Sequence, residues 1–460
     1  ASEGEVCPIC KAKMVPYRNQ VVDLEKALAE VSRRLNFLPP ALRGVKELES
    51  KDKMPESIVK GVLRAKHGLS VSKDGCVRFD ATNAPLTHFK PDEIGTPIDK
   101  LRDLGYTNDR WKKPLSDGEQ ICELRVQDVV LPVKCGDRLV SVANFIDDLL
   151  SQVYDEAPFY NAKDRGDLVG HLIVGISPHT SCGILGRIIG YTEASVCYAH
   201  PFWHAAKRRD CDGDEDSTML ALDVLINFSR HYLPDRIGGL MDAPLLLTPI
   251  VDPSEVDEEA FNMEVVSRLP LSLYEASLGS PDSRRTAEMV RVAATKIGRK
   301  QQYEKFFYTM ETSDIAQGGL ESAYKKLETM AGKLEAQLRL ADRLRAVDVR
   351  DVARRILTAH FLKDIVGNLR RFTSQTFRCR ACNAKFRRAP LNGKCPRCGS
   401  PKVSKTVFQG GIEKYFRMAT NIVQKYDLEP FYRDQLAMVG GEIELLFGKR
   451  REQAKLTEYT

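Results

Sequence analysis

Apolar positions recur every three or four residues through VVDLEKALAEVSRRL (residues 21–35), and Pro39-Pro40 follows. That spacing predicts amphipathic helix within residues 21–67. Between residues 68 and 145 the pattern shortens. CVRFDATNAP (76–85) and ELRVQDVVLPVKCG (123–136) are brief apolar runs broken by turn formers, which predicts strands. SVANFIDDLLSQVYDEAPFY (141–160) regains a helical period and ends before Pro158. Residues 166–200 alternate apolar runs with glycine; HLIVGI (171–176) and SVCYA (195–199) are the strand candidates, and the breaks suit tightly wound β-structure. STMLALDVLINFSRHYL (217–233) has the spacing of an amphipathic helix, with Asp216 or Ser217 as its N-cap. Residues 312–371 are rich in Ala, Leu and charge with few breakers, and residues 409–448 return to that pattern, so both predict packed helices.

The chain has 460 residues, too many for one ordinary domain, and about 150 residues per domain suggests about three. Hydrophobic residues make up 43%, enough for real cores and against wholesale disorder. No run approaches the ~20 apolar residues that span a bilayer. The amino-terminal ASEGEVCPIC lacks the basic-then-apolar pattern of a secretion signal. A cytoplasmic protein without a membrane partner is expected. Its first residue is Ala, which suggests a processed chain or one piece of a longer product.

Net charge is +6, but its distribution is uneven. Residues 370–405 hold eleven Lys or Arg and no Asp or Glu, whereas residues 252–259 are strongly acidic. A basic block suits a polyanion such as nucleic acid, and equally a solvated surface.

Twelve cysteines might form disulfides, but six lie in C-x-x-C pairs: Cys7/Cys10, Cys379/Cys382 and Cys395/Cys398. With no secretion signal, that spacing indicates metal ligation. Cys379, Cys382, Cys395 and Cys398 form two knuckles able to enclose one Zn2+, a closed and therefore structural site. Cys7 and Cys10 resemble half of a second such pair, whose partners come from elsewhere in the fold or precede residue 1.

The densest chemistry lies between His200 and Ser217. Asp210, Asp212, Asp214 and Asp216 occupy alternate positions, and alternate residues of an extended backbone face one way. Converging carboxylates favour a hard divalent cation, Mg2+, Ca2+ or Mn2+. Gly213 permits the tight turn this needs. An EF-hand calcium loop would use Asp212, Asp214, Asp216 and Asp223, yet Ser217 stands where that loop requires Gly. A solvated turn capping the following helix is the other plain reading. Lys207, Arg208 and Arg209 just before the acids suit a site where metals meet phosphates, as in two-metal nucleotidyl transfer. His200 and His204 either help line that site or are packed histidines, with packing favoured.

YAHPFWHAAKRRDCDGDEDS, the upstream SPHTSCGILGRIIGYTEASV and the downstream LDVLINFSRHYLPDRIGGLMDAPLLLTPIVDP closely resemble the large, catalytic subunit of the archaeal D-family DNA polymerase. The likeness continues through the zinc module to the C-terminus. It implies a mixed α/β multidomain chain with an RNA-polymerase-like double-psi β-barrel core, helical regions and a C-terminal zinc-binding module. It also implies that Asp212 and Asp214 coordinate Mg2+ while a primer 3′-hydroxyl attacks the α-phosphate of a deoxynucleotide. Asp216 would be a further ligand, a supporting group or a cap. The family motif usually has Asn where this chain has Asp210, which makes Asp210 a possible third ligand. The family's second barrel, with its basic Gly-Arg-Pro-Glu-Lys-like segment, is not found. The chain therefore resembles the C-terminal portion alone, carries the acidic half of the site, and is expected to need the N-terminal portion for synthesis.

The resemblance also implies a small partner subunit with 3′–5′ exonuclease activity. Gln453, Leu456 and Tyr459 have the spacing of a sliding-clamp-binding motif, with Leu456 and Tyr459 on one face of a helical turn. Lys207, Arg208 and Arg209 are expected to contact primer-template or nucleotide phosphates. The expected organisation is a partial zinc knuckle (1–20), an accessory α/β region (21–115), the barrel (116–250), a mainly helical region (251–371), the four-Cys module (372–408) and a helical region with the clamp tail (409–460). The rival reading is a non-catalytic zinc-containing nucleic-acid-binding protein with a calcium turn.

Overall fold

The computed structural model describes residues 23–45, 56–209, 213–233, 237–279, 282–309, 314–317, 323–405 and 407–448, with Val6 and Leu320 besides. The expectations for Cys7, Cys10, Asp210, Asp212, Gln453, Leu456 and Tyr459 fall outside these residues. The chain divides into two compact units, 1–322 and 323–460.

The first unit opens with helices α1 (Leu24–Arg34) and α2 (Ile58–Lys66). Asp23 caps α1, accepting a hydrogen bond from the Lys26 amide at 2.9 Å. Strands β1 (Phe79–Pro85) and β2 (Asp128–Pro132) follow, and Pro132 launches the long helix α3 (Val133–Leu149). Helix α3 buries Cys135, Leu139, Val142, Ala143, Ile146 and Leu149, a stripe at helical spacing that faces the sheet. Then come β3 (Leu172–Ile176), β4 (Cys182–Thr192), β5 (Val196–Ala199), the short helix α4 (Pro201–Ala206), β6 (Glu215–Leu220), α5 (Ala221–Asn227) and β7 (Leu246–Thr248).

Six of these strands close on themselves in the order β2-β5-β1-β6-β3-β4, with β4 pairing back to β2, while β7 adds to the outside of β4. Two joins of this barrel are parallel, β1 with β5 and β2 with β4; the other four are antiparallel. Closure removes exposed edges and requires staggered strands, and the β2–β4 register shifts between Val129 and Val130. Phe145, Phe202, Trp203, Ile173, Ile188 and Leu220 are among the buried residues of the shared core.

Three expectations change here. The segment 217–233 is not one helix. Its first four residues complete β6, which pairs on both sides, with β1 and β3, so ladder hydrogen bonds outweigh the local helical pattern. Asp216 and Ser217 lie inside that strand and cap nothing. Strand β1 draws residues 79–85 into the barrel from the segment expected to be accessory. The region expected to be mainly helical from 251 onward is, over the described residues of 251–306, mostly short turns, and Val251, Val256, Val265 and Phe306 are buried against the barrel core.

The second unit packs α6 (Met330–Arg343), α7 (Val349–Ile356), α8 (Leu362–Ser374), α9 (Gln409–Lys425) and α10 (Pro430–Phe447). Leu338, Ala353, Leu357, Ile365, Leu369, Ile412, Ile422, Leu436 and Ile443 form its core. Between α8 and α9 lies a small three-stranded sheet of β8 (Phe377–Cys379), β9 (Lys385–Phe386) and β10 (Val403–Ser404), with β8 central. No helix among the described residues is long and apolar enough to cross a membrane.

Candidate active site and metal module

The acidic turn leads directly into β6. Gly213 has φ of 107°, a backbone conformation open to glycine at little cost. The carbonyl of Asp214 then accepts the Asn83 amide N–H at 2.9 Å, which ties the turn to β1. Beyond it the pairing is regular, with Thr82 opposite Glu215 and Ala81 opposite Asp216. Along β6 the exposure alternates, so Glu215 faces solvent and Asp216 the interior.

Asp214 and Asp216 consequently differ. The Asp214 side chain is 49% exposed and meets Arg209, with Nη2 to Oδ2 at 2.8 Å. Asp216 is buried, and its Oδ2 accepts from Lys207 Nζ. Its Oδ1 lies 3.8 Å from Arg209 Nε and has no hydrogen-bond partner among the described residues. Arg209 thus spans both acids.

The three cations expected to meet phosphates are placed very differently. Lys207 is 2% exposed, so it is not a surface phosphate contact. Its ammonium sits 4.0 Å from the Trp203 ring centroid, 3.5 Å from Asn83 Oδ1 and against Asp216. Burial of a lysine demands such a charge partner. Arg208 is exposed at φ of 59° and pairs with Asp257 at 3.2 Å. Beside Arg209 opens a cleft of about 350 Å3, also lined by Asp257 and Glu259.

His200 and His204 are both fully buried. Nδ1 of His200 accepts the Phe202 amide at 3.2 Å and so caps α4, while Nε2 of His204 contacts the Ala84 carbonyl at 3.1 Å. Burial pushes His200 down to about 3 and His204 well below its ordinary value, so both are neutral near pH 7. Packing is their role.

The calcium-loop reading conflicts with the geometry. Its twelfth position, Asp223, is turned into the core, where it accepts the Val77 amide at 2.7 Å and Asn227 Nδ2 at 2.8 Å. The residues leading into it are strand, not loop.

Asn83 and Trp203 went unnoticed in the sequence. Asn83 is 3% exposed and touches both the acidic turn and Lys207, but it precedes them by more than a hundred residues and carries no motif. Trp203 carries no spacing signal of its own. Its role depends on Gly175 in β3, where a Cβ would lie 2.5 Å from the indole Cη2.

In the second unit Cys379, Cys382, Cys395 and Cys398 converge, with their sulfurs all within 4.8 Å of one another. The two knuckles are built alike. Asn383 and Gly399, each four residues after the first cysteine of its knuckle, have φ of 56° and 71°. Their amides return to the carbonyls of Cys379 and Cys395 at 2.9 and 2.7 Å. Backbone N–H groups of Cys382 and Ala381 directed at the Cys379 sulfur bring its thiol down to about 6. Four sulfurs at this spacing fit one tetrahedral zinc with no open position.

A closed mixed β-barrel with an acidic turn feeding one strand, followed by a separate helical unit carrying a four-cysteine module, defines the class of protein. Comparison with known proteins supplies the family. The family model described as DNA polymerase II large subunit DP2, catalytic domain, matches residues 36–333. The chain is 46% identical over 460 residues to the DNA polymerase II large subunit of Methanococcoides burtonii, covering 99% of this chain and 40% of that protein. It is 47% identical over 454 residues to that of Archaeoglobus fulgidus, covering 98% and 40%. With the Pyrococcus furiosus subunit it shares 47% over 452 residues, covering 98% and 36%. The chain belongs to the DNA polymerase II large-subunit family. It spans about 40% of the length of the first two of these curated relatives.

Proposed function

We propose that this chain carries the acidic half of the active site of a DNA-directed DNA polymerase working in replication. The observation that carries this reading is the catalytic-domain match over residues 36–333, which includes the acidic turn. The reaction is attack of a primer 3′-hydroxyl on the α-phosphate of a deoxynucleoside triphosphate, with pyrophosphate leaving. The carboxylates of Asp212 and Asp214 would hold Mg2+, with Asp210 as a third ligand. The half-exposed Asp214 carboxylate fits a hard divalent cation. When bound, Mg2+ supplies charge compensation at the reacting phosphate oxygens.

The chain's own residues orient this turn. Asn83 anchors the Asp214 backbone, Arg209 aligns the Asp214 and Asp216 carboxylates, and Lys207 neutralises Asp216 from below. In this reading Asp216 positions the strand rather than ligating metal. Arg208 is the most exposed of the three cations and would exchange Asp257 for a phosphate. The two parallel joins of the barrel support a double-psi arrangement. A second barrel bearing basic residues would come from the rest of the large subunit. A small exonuclease subunit, a sliding clamp held by Gln453, Leu456 and Tyr459, and zinc in the cysteine module complete the proposed assembly.

Mg2+-dependent primer extension by the reconstituted polymerase tests this reading. Asp212→Asn/Asp214→Asn should abolish synthesis in a complex that still binds primer-template. Undiminished synthesis would transfer the chemistry elsewhere and favour the non-catalytic binding reading.

A further inference from the structure

A second cleft, of about 920 Å3, lies at the other end of the barrel. Leu172 at the start of β3 stands opposite Arg187 of β4, and Ile173 stands opposite Leu220, the last residue of β6. Asp214 precedes the first residue of β6. Six residues of strand at ~3.3 Å each put Leu220 about 20 Å from Asp214.

Most of the acids lining this cleft are turned inward and engaged. Asp128 receives Arg187 through two hydrogen bonds of 2.8 Å and the Tyr106 hydroxyl at 2.6 Å. Asp109 accepts the backbone amides of Trp111 and Lys113 at 2.8 and 2.9 Å. Glu123 accepts the Phe306 amide at 2.7 Å. Glu304 alone among the lining acids is exposed.

The cations are the reverse. Lys112, Lys300 and Lys305 are exposed, and none forms an ion pair among the described residues. Arg125 donates to the carbonyls of Leu104 and Gly105, and Arg110 stacks on Tyr308 and Trp111; neither guanidinium pairs with a carboxylate among the described residues. Between these charges the cleft exposes apolar surface, with Tyr303 44% and Ile250 74% exposed. Trp111, 60% exposed, adjoins Arg110.

We infer that this cleft is a binding site for single-stranded DNA, distinct from the acidic turn; the choice of DNA rests on the polymerase reading above. Uncommitted cations spread along a groove match a linear polyanion. Exposed rings and apolar side chains between them gain energy only from base faces that are free to stack. A duplex hides those faces, and a small anion would need convergent donors rather than dispersed ones. A polymerase has an unpaired template strand to hold, and a groove whose lining includes none of the acidic turn holds it without crowding the reacting phosphates.

The test is fluorescence anisotropy of a short labelled oligo(dT) with this chain over a salt series. Lys112→Gln/Lys300→Gln/Lys305→Gln should weaken binding tenfold or more. It should also flatten the slope of log affinity against log salt by about 2, since each phosphate contact on a single strand contributes about 0.7. Tyr303→Ala should weaken oligo(dT) binding by about tenfold and leave blunt duplex binding unchanged. The three lysines are exposed, so the thermal midpoint of the triple variant should match wild type. Unchanged affinity and slope in the triple variant, or equal losses on duplex and single strand in Tyr303→Ala, would overturn the inference. Primer extension by Asp212→Asn/Asp214→Asn reads the polymerase assignment separately, so failure of one is distinguishable from failure of the other.

Discussion

Lys207 and Asp216 form an ion pair inside the barrel, their side chains 1% and 4% exposed, one following helix α4 and the other in strand β6. The pair joins the two elements that flank the acidic turn. It therefore limits how far either end of that turn can move. Trp203 roofs the ammonium, and the space for both side chains exists because β3 has glycine at 175, where a Cβ would also lie 3.2 Å from Lys207 Cδ.

Removing one member of that pair leaves an uncompensated charge in the interior. Lys207→Met should destabilise the first unit by about 3–5 kcal/mol, measured by urea unfolding. Lys207→Met/Asp216→Asn should recover a large part of the loss, because neither partner is then charged. Equal destabilisation in the single and double variants would mean that the pair contributes shape rather than charge compensation.

Burial raises Asp223 to about 6, above the ~3.9 of an unfolded chain. The folded state therefore holds this proton more tightly. Its stabilising contribution is full below about pH 4 and is lost as pH rises through about 6, a change of about 3 kcal/mol. The buried histidines pull the other way. His200 and His88, each brought down to about 3, favour the fold above pH 6.5 and oppose it as pH falls. Comparing Asp223→Asn with wild type cancels the histidines. The difference in unfolding free energy should change between pH 4 and 6 and be flat above pH 7. A difference independent of pH would show that Asp223 does not carry this linkage.

The four-cysteine module should hold one zinc and depend on it for folding. Cys395→Ser should lower the zinc content by one equivalent, measured by elemental analysis of the purified chain. Chelation should make residues 376–403 susceptible to protease, because the three short strands around the cluster bury little apolar surface. Unaltered zinc content in Cys395→Ser would place the ion elsewhere.

The cysteine knuckles were readable because each is made within five consecutive residues, Cys379 to Asn383 and Cys395 to Gly399, and twelve residues separate the pairs. The second half of helix α3 and strands β3 and β5 were readable because apolar periodicity or a short apolar run reports a local backbone preference, whereas the first turn of α3, Val133–Gly136, was expected as strand. The acidic turn was readable as a cluster of charges with a glycine at its bend. Chemistry of that kind depends on residue type and short spacing, which the chain carries in one dimension.

What tertiary structure alone decided is which of those residues face each other across the barrel. STMLALDV has helical spacing, yet its first half is strand, because β1 and β3 offer ladder partners on both sides that no local pattern reveals. Lys207, Arg208 and Arg209 are equivalent as letters. One is buried over Trp203, one reaches Asp257 and one aligns two carboxylates, because α4 ends inside the core and the chain leaves it within three residues. Residue type and short spacing were enough for the local turns, the pairing of the four cysteines and the family. Closure of the barrel determined which charges are neutralised inside and which remain for a polyanion, since burial and pairing are properties of strands brought together from residues 79–220.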